Sequence, residues 1–392
     1  MATRTLREDA ARGALRLPYM DRPRYTADFA RSWYDLAVRT RRSIEGARAL
    51  ALAATTALFS HCAASPSAPT RAPQPLARPA FIVGYNEAWL GTRYGTDLTR
   101  DYDSAVARRT LDAIAAAGGR AVRLWLFEGR EGFVLGEGSP SLRGVDPALL
   151  AHLSEVLSMA RARSLFVHLA ALDGNDMPAE PGPSRALYMQ LLDPTSVEAG
   201  AYEARVLAPL LRALEAHRDV VVGLDLVNEI AAPRARGYFA DRHAGPRAYL
   251  ARTAAFVKRA APWLPVTASA GWDGAAAEIA RGDFSGLGLD FLELHVYADD
   301  GHIPDVAAVC ARARADGIPI LLGELGQATR TEDDALQVRA TAGLIDAARG
   351  SCFAGALAWR FDAAEPTFHF ARADGSLRPA AAAVRAAAQP DR

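Results

Sequence analysis

The chain has 392 residues and half of them are hydrophobic, enough for a large buried core. Its 45 basic residues balance 45 acidic ones, so no charge excess favours a nucleic acid or an anionic membrane as partner. Lys258 is the only lysine, a bias that speaks of a GC-rich bacterial genome rather than of a function.

Residues 1–79 read as an extension. Arg39, Arg41, Arg42 and Arg48 precede an apolar run, Ala49–Phe59, followed by Ser60-His61-Cys62 and a stretch to Pro79 rich in Ala, Pro and Ser. Positive region, short apolar region and small residues in that order resemble a secretory signal followed by a linker. The run is too short for a comfortable membrane span. Cys62 sits where a bacterial lipoprotein carries its lipidated cysteine, although His61 stands where a small residue is usual. The expectation is a secreted or cell-envelope protein, with Cys62 a candidate lipid anchor. The signal starts far from Met1, so translation beginning at Met20 is one alternative, and a plain Ala-rich helix is another. Cys310 and Cys352 lack metal-ligand spacing with Cys62, so no zinc site is expected. They could pair in an oxidising compartment; free buried thiols are the expected state.

From Phe81 onward the pattern alternates strand and helix. Apolar runs at Phe81–Tyr85, Ala121–Phe127, Leu165–Ala170, Val220–Val227, Pro265–Ala270, Phe291–Val296, Ile318–Gly323 and Gly355–Phe361 predict eight strands. Helices are predicted between them. Asp103 opens the first, closed by Gly118-Gly119. Asp146-Pro147 and Asp193-Pro194 offer an N-cap followed by a proline in the first turn. Further helices are expected over Gly245–Ala260, Pro304–Asp316 and Thr331–Arg349, with an Ala-rich one at the end. Eight strand–helix units over residues 80–388 predict one (β/α)8 TIM barrel, expected to be a monomer. A doubly wound sheet would carry a glycine-rich phosphate turn after its first strand, and Tyr85-Asn-Glu-Ala-Trp89 is not one.

In such a barrel the C-terminal strand ends form the active face. Two apolar runs end there in a glutamate, Val220–Glu229 and Ile318–Glu324. A facing pair of carboxylates, one donating a proton and one acting as nucleophile or base, is what cleavage of a glycosidic bond requires. The same rim collects Asn86, Glu87, Trp89, Arg123, Trp125, Glu128, His168, Asp173, Asn228, Trp272, His295, Tyr297, Trp359 and Asp362. Tryptophans offer flat faces to a pyranose, while Asn, His and Arg bond its hydroxyls. Trp125 and Trp272 could equally be packing residues. Glu293 alternates in phase with His295 and has no assigned role.

At Arg123, Asn228-Glu229, His295-Val-Tyr297, Glu324 and Trp359 the sequence resembles the clan A glycoside hydrolases of family 5, the cellulase and β-mannanase type, over residues 80–385. Ile230 departs from it, since many members have Pro there, and the third-strand polar residues do not match its usual arrangement. The resemblance implies retaining chemistry, with Glu229 as acid/base and Glu324 as nucleophile. Arg123 is expected to keep Glu324 ionised and Tyr297 to orient it. Glu229, in a more apolar setting beside a negative neighbour, is expected to be pushed up until it holds a proton. Asn228 is expected to donate to the sugar 2-hydroxyl. The substrate-binding set is Arg123, Asn228, His295, Tyr297, Trp359, Trp125 and Trp272.

The expected activity is endo-hydrolysis of a β-1,4-linked mannan or glucan, with no metal and no cofactor; exo-acting or β-1,3-specific cleavage is the alternative. Trp89, Trp125, Trp272 and Trp359 suggest several stacked pyranoses. The loops 129–144, 173–184 and 231–246, rich in Gly, Pro and charge, are the expected binding loops. A metal-dependent barrel hydrolase would usually carry His-x-His on the first strand, where Gly84-Tyr-Asn86 stands. A non-catalytic carbohydrate-binding barrel would typically lack one of the two glutamates.

Overall fold

The computed structural model describes residues 80–91, 95–137, 141–176, 183–232, 244–362 and 367–389, all within the unit Pro73–Arg392. The signal-like segment, Cys62 and the linker fall outside the described residues, as do parts of all three expected binding loops.

The strands are β1 (Ile82–Asn86), β2 (Ala121–Trp125), β3 (Phe133–Leu135), β4 (Leu142–Val145), β5 (Phe166–Asp173), β6 (Val221–Asn228), β7 (Val266–Thr267), β8 (Ser269–Ala270), β9 (Leu292–Tyr297), β10 (Ile320–Gly326) and β11 (Phe353–Ala358). Between them run α1 (Ser104–Ala116), α2 (Pro147–Ala162), α3 (Pro183–Leu192), α4 (Val197–Tyr202), α5 (Ala208–Leu214), α6 (Ala244–Ala260), α7 (Ala275–Arg281), α8 (Val306–Asp316) and α9 (Asp334–Arg349), and α10 (Ala381–Ala387) follows the last strand. Hydrogen bonding orders the main sheet β7-β6-β5-β2-β1-β11-β10-β9-β8. Only Ala268 separates β7 from β8. They are two halves of the expected fifth strand, β7 pairing with β6 and β8 with β9, both parallel. The ring thus closes as the expected eight-stranded barrel.

The strands form where β-branched and other apolar residues run together because helices cover one face and the barrel interior the other. Every residue of β2 and of β5 is buried. Local side-chain caps open the helices α1, α2, α4 and α9. Asp103 accepts from the amides of Ala105 and Val106, and Asp146 from that of Ala148. Asp193 behaves differently. Its carboxylate accepts from the amide and hydroxyl of Thr195, which closes a turn, and Ser196 caps α4 instead. A helix also occupies Pro183–Leu192, starting within the last two residues of the expected loop 173–184. The last strand ends at Ala358, earlier than expected, so Trp359 lies on the rim.

The cysteine expectation is corrected. Cys310 and Cys352 form a disulfide with Cα atoms 5.6 Å apart. Helix α8 feeds β10, and the turn at Cys352 feeds the neighbouring β11, so the topology brings together two residues 42 apart in sequence. Among the described residues no helix is long and apolar enough to cross a membrane.

Candidate active site

The site is built on a buried cation. Arg123, midway along β2, is fully buried. A guanidinium there must be paired. Its Nη2 donates to Asp225 Oδ2 at 2.6 Å and to Asn228 Oδ1 at 2.8 Å. Its Nη1 donates to Glu324 Oε1 at 2.9 Å and to Asn86 Oδ1 at 3.2 Å. Its Nε lies 3.3 Å from Glu293 Oε1. One side chain thereby ties β1, β2, β6, β9 and β10 together beneath the rim.

Glu324, from β10, is held on both oxygens, since Tyr297 donates its hydroxyl to Oε2 at 2.6 Å. Glu229 leaves the end of β6 in a left-handed conformation, φ 48°, with its amide donating to Ser269 Oγ at 2.8 Å. Trp272 is also left-handed, φ 73°. Non-glycine residues in this region cost energy and gather where a site imposes the geometry. Glu229 Oε2 accepts from Asn175 Nδ2 at 2.7 Å. His295, from β9, sits between the two glutamates. Its Nδ1 is 3.1 Å from Glu229 Oε1 and 3.5 Å from Glu324 Oε1. One oxygen of each glutamate and a ring nitrogen of His295 all lie within 4.8 Å of one another. The two glutamates read from the strand ends therefore face each other.

The electrostatics differ from the expectation in one respect. Burial pushes Glu229 up, but the His295 hydrogen bond and charge, with Asn175, outweigh it and hold the carboxyl below its ordinary range. Burial also pushes Glu324 up; His295 and Arg123 pull it down, Glu229 raises it, and the net shift is upward. The expected order, Glu229 high and Glu324 low, is reversed because the proton resides on His295. Burial alone would lower that imidazole, but Glu324, Glu229 and Glu293 raise it to about 10. Arg123 stays charged against its burial because Glu293, Asp225 and Glu324 surround it.

Asn228 is buried with both ends of its amide engaged, Nδ2 donating to Asp173 Oδ1 at 2.8 Å. A contact with a sugar hydroxyl would have to displace one of these bonds. Trp125 and Trp359 are each only 8 % exposed and pack on each other with centroids 5.5 Å apart. Trp89 meets both edge-on, at 6.0 and 6.4 Å, under the Arg360 guanidinium. Three of the four rim tryptophans are therefore one cluster rather than spaced platforms. Trp272 stands apart, beside Glu229.

Asp225, Glu293, Ser269 and Asn175 were not among the site residues read from the sequence. Asp225 and Glu293 interrupt apolar strand runs, and a charged residue in a buried strand needs a partner. The same reasoning singles out Arg123, so the signal was there. Ser269 and Asn175 carry no such mark. We do not assign Glu229, His295 and Glu324 as metal ligands: Arg123, 2.9 Å from Glu324, already supplies the cation a metal would bring.

No family model matches the sequence, and no curated protein does. Solved structures match. A β-1,4-D-mannanase from Cryptopygus antarcticus superposes with TM-score 0.59 at 18% identity, covering 80% of this chain and 91% of that one. GH5_18 from Streptomyces cattleya, in complex with Manβ1-4GlcNAc, matches with TM-score 0.59 at 19% identity over 79% of this chain and 80% of that one. An exo-β-1,4-mannosidase from Opitutaceae bacterium strain TAV5 matches with TM-score 0.59 at 16% identity over 80% of this chain and 61% of its own length. At these identities the likeness establishes the fold alone: the chain is built on the (β/α)8 barrel that these structures share.

Proposed function

We propose that the protein is a retaining β-glycoside hydrolase acting on a β-1,4-linked mannoside or glucoside polymer. One observation carries the reading. Glu229 and Glu324 present oxygens within 4.8 Å of each other across His295. Retaining enzymes hold their carboxyl groups ~5–5.5 Å apart, whereas inverting ones leave ~6.5–9.5 Å for a water. Glu324, fixed by Arg123 and Tyr297, attacks the anomeric carbon and forms a glycosyl ester. Glu229 gives its proton to the departing oxygen, then takes one from the water that hydrolyses the ester. The first test is a panel of aryl β-mannosides and β-glucosides with NMR of the first-formed anomer. Release of the inverted anomer, or no turnover of any β-glycoside, would refute the reading.

Endo cleavage remains the reading for polymers, in keeping with the β-1,4-D-mannanase among the structural neighbours. The packing of Trp89, Trp125 and Trp359 into one cluster favours a second reading, exo cleavage at one terminal sugar. Product analysis on glucomannan, galactomannan, carboxymethylcellulose and β-1,3-glucan separates the two: mixed oligosaccharides mark the endo enzyme, monosaccharide alone the exo one. The proposed setting is outside the cytoplasm, which the Cys310–Cys352 disulfide supports, because such bonds persist in oxidising compartments. Lipid attachment at Cys62 belongs to the same proposal. Membrane fractionation of the wild type and Cys62→Ala tests it, and a cytoplasmic wild-type protein would refute it.

A further inference from the structure

Glu293 has no part in the two-carboxylate chemistry, yet it is buried at 1 % exposure directly behind it. Its Oε2 lies 2.9 Å from His168 Nε2. Its Oε1 lies 3.3 Å from Arg123 Nε and 3.5 Å from His295 Nε2. His295 therefore has a carboxylate on each side, Glu293 at Nε2 and Glu229 at Nδ1. A neutral imidazole has one N–H and can satisfy one side only; an imidazolium satisfies both. We infer that Glu293 is a positioning residue: it holds His295 as an imidazolium whose Nδ1 hydrogen faces Glu229, so that the proton Glu229 gives to the leaving oxygen is supplied along a Glu293–His295–Glu229 chain.

The charged and titratable groups around this chain support it. Arg123 comes from β2, His168 from β5, Asp225 and Glu229 from β6, Tyr297 from β9 and Glu324 from β10. With only Arg123 positive, four buried carboxylates (Asp225, Glu229, Glu293 and Glu324) would leave a large negative excess, which a low-dielectric interior does not sustain. A proton on His295 reduces that excess and sits within reach of three of the four. The close fit around Glu293 fixes its orientation. A Cβ on Gly323 would lie 2.0 Å from Glu293 Oε1, so the backbone of β10 walls the carboxylate in. Its pKa is held below the ordinary carboxylate range despite burial, by His168, Arg123 and His295. As the leaving oxygen departs, the Nδ1 hydrogen of His295 passes to Glu229 along the Nδ1···Oε1 bond, and Glu229 delivers that proton to the oxygen. His295 is left neutral with its hydrogen on Nε2, toward Glu293, and Nδ1 is protonated again through Glu229 by the proton that this carboxylate takes from the hydrolytic water.

The inference rests on the hydrolase reading for its catalytic part only. It is tested on the full chain labelled with 15N-histidine, with the His295 signals identified by their loss in His295→Gln. Both ring nitrogens of wild-type His295 are expected to be protonated at pH 7 and well above it. In Glu293→Gln the ring is expected to become neutral at least about one pH unit lower, the usual effect of removing one adjacent opposite charge. The basic limb of kcat/KM on aryl β-glycosides is expected to fall with it, and Glu293→Asp, which keeps the charge, is expected to restore most of it. A neutral wild-type His295 ring at pH 7 would overturn the inference, and so would a rate loss in Glu293→Gln with the basic limb unmoved. Should Glu293→Gln fail to fold, the wild-type ring state still decides. Should the wild type turn over no β-glycoside, the hydrolase reading fails while the ring signals still judge the Glu293–His295 pair.

Discussion

Gly271→Ala tests the position of the acid without touching a reacting atom. A Cβ at Gly271 would lie 2.2 Å from Glu229 Oε1, 2.5 Å from Cδ and 2.7 Å from Cγ. Restoring even a tight 3.0 Å contact displaces Oε1 by at least 0.8 Å, the difference between 3.0 and 2.2 Å. That carboxylate is pinned by His295 at 3.1 Å and Asn175 at 2.7 Å, so the move breaks one of these bonds. A misplacement of about 1 Å typically costs ~10²-fold in rate, which corresponds to ~2.7 kcal/mol of transition-state stabilisation. Overpacking adds about 1–3 kcal/mol of lost stability, readable in urea denaturation. Gly144→Ala is the control, because a Cβ there meets nothing within 4 Å. The assay is kcat/KM across aryl β-glycosides of graded leaving-group pKa. Gly271→Ala is expected to lose most on the poorest leaving groups, giving a steeper dependence than wild type. Wild-type rates on unactivated substrates in folded Gly271→Ala would show that Glu229 is not the proton donor.

Glu324→Ala is expected to abolish turnover with the fold intact, and azide to restore part of it with an α-glycosyl azide as product; full activity without azide would remove Glu324 as nucleophile. Glu229→Gln is expected to slow poor leaving groups by ~10²–10⁴-fold and activated aryl glycosides far less; equal losses on both would argue against general acid help. EDTA is expected to leave kcat unchanged in the metal-stripped protein, and a divalent-ion requirement would overturn the mechanism. Replacing Cys310 and Cys352 by Ala is expected to lower unfolding free energy by up to about 4 kcal/mol, the chain-entropy value for a loop of this size. Unchanged stability would show that the bond contributes nothing.

The barrel and its two glutamates were legible because both follow from one-dimensional regularities. Alternating apolar runs and capped helices define the strand–helix repeat, and a carboxylate closing a buried strand marks the rim. The disulfide was not legible, since Cys310 lies within α8 and Cys352 before β11, and only the strand order makes them neighbours. The helix expected at Asp193-Pro194 starts later, at Val197, for a local reason: the Thr195 hydroxyl and amide take the carboxylate that would have capped it, and Ser196 caps instead. The protonation order failed for a spatial one. The sequence places His295 two residues before Tyr297 but does not say that its Nδ1 lies between Glu229 and Glu324.

That reversed order belongs to the free site and has a consequence for turnover. Glu324 is already closed off, its side chain 4 % exposed and bound by Arg123 and Tyr297, so a sugar changes its surroundings little. The Glu229 side chain keeps 10 % exposure. In the proposed reaction a bound pyranose would remove that remaining water. In a drier site an imidazolium–carboxylate pair loses ground to the neutral pair of imidazole and carboxylic acid, because desolvation penalises both charges. In the proposed mechanism substrate binding is therefore expected to drive the proton from His295 Nδ1 onto Glu229. The empty site holds the same proton one hydrogen bond away, on a ring whose far side is fixed by Glu293.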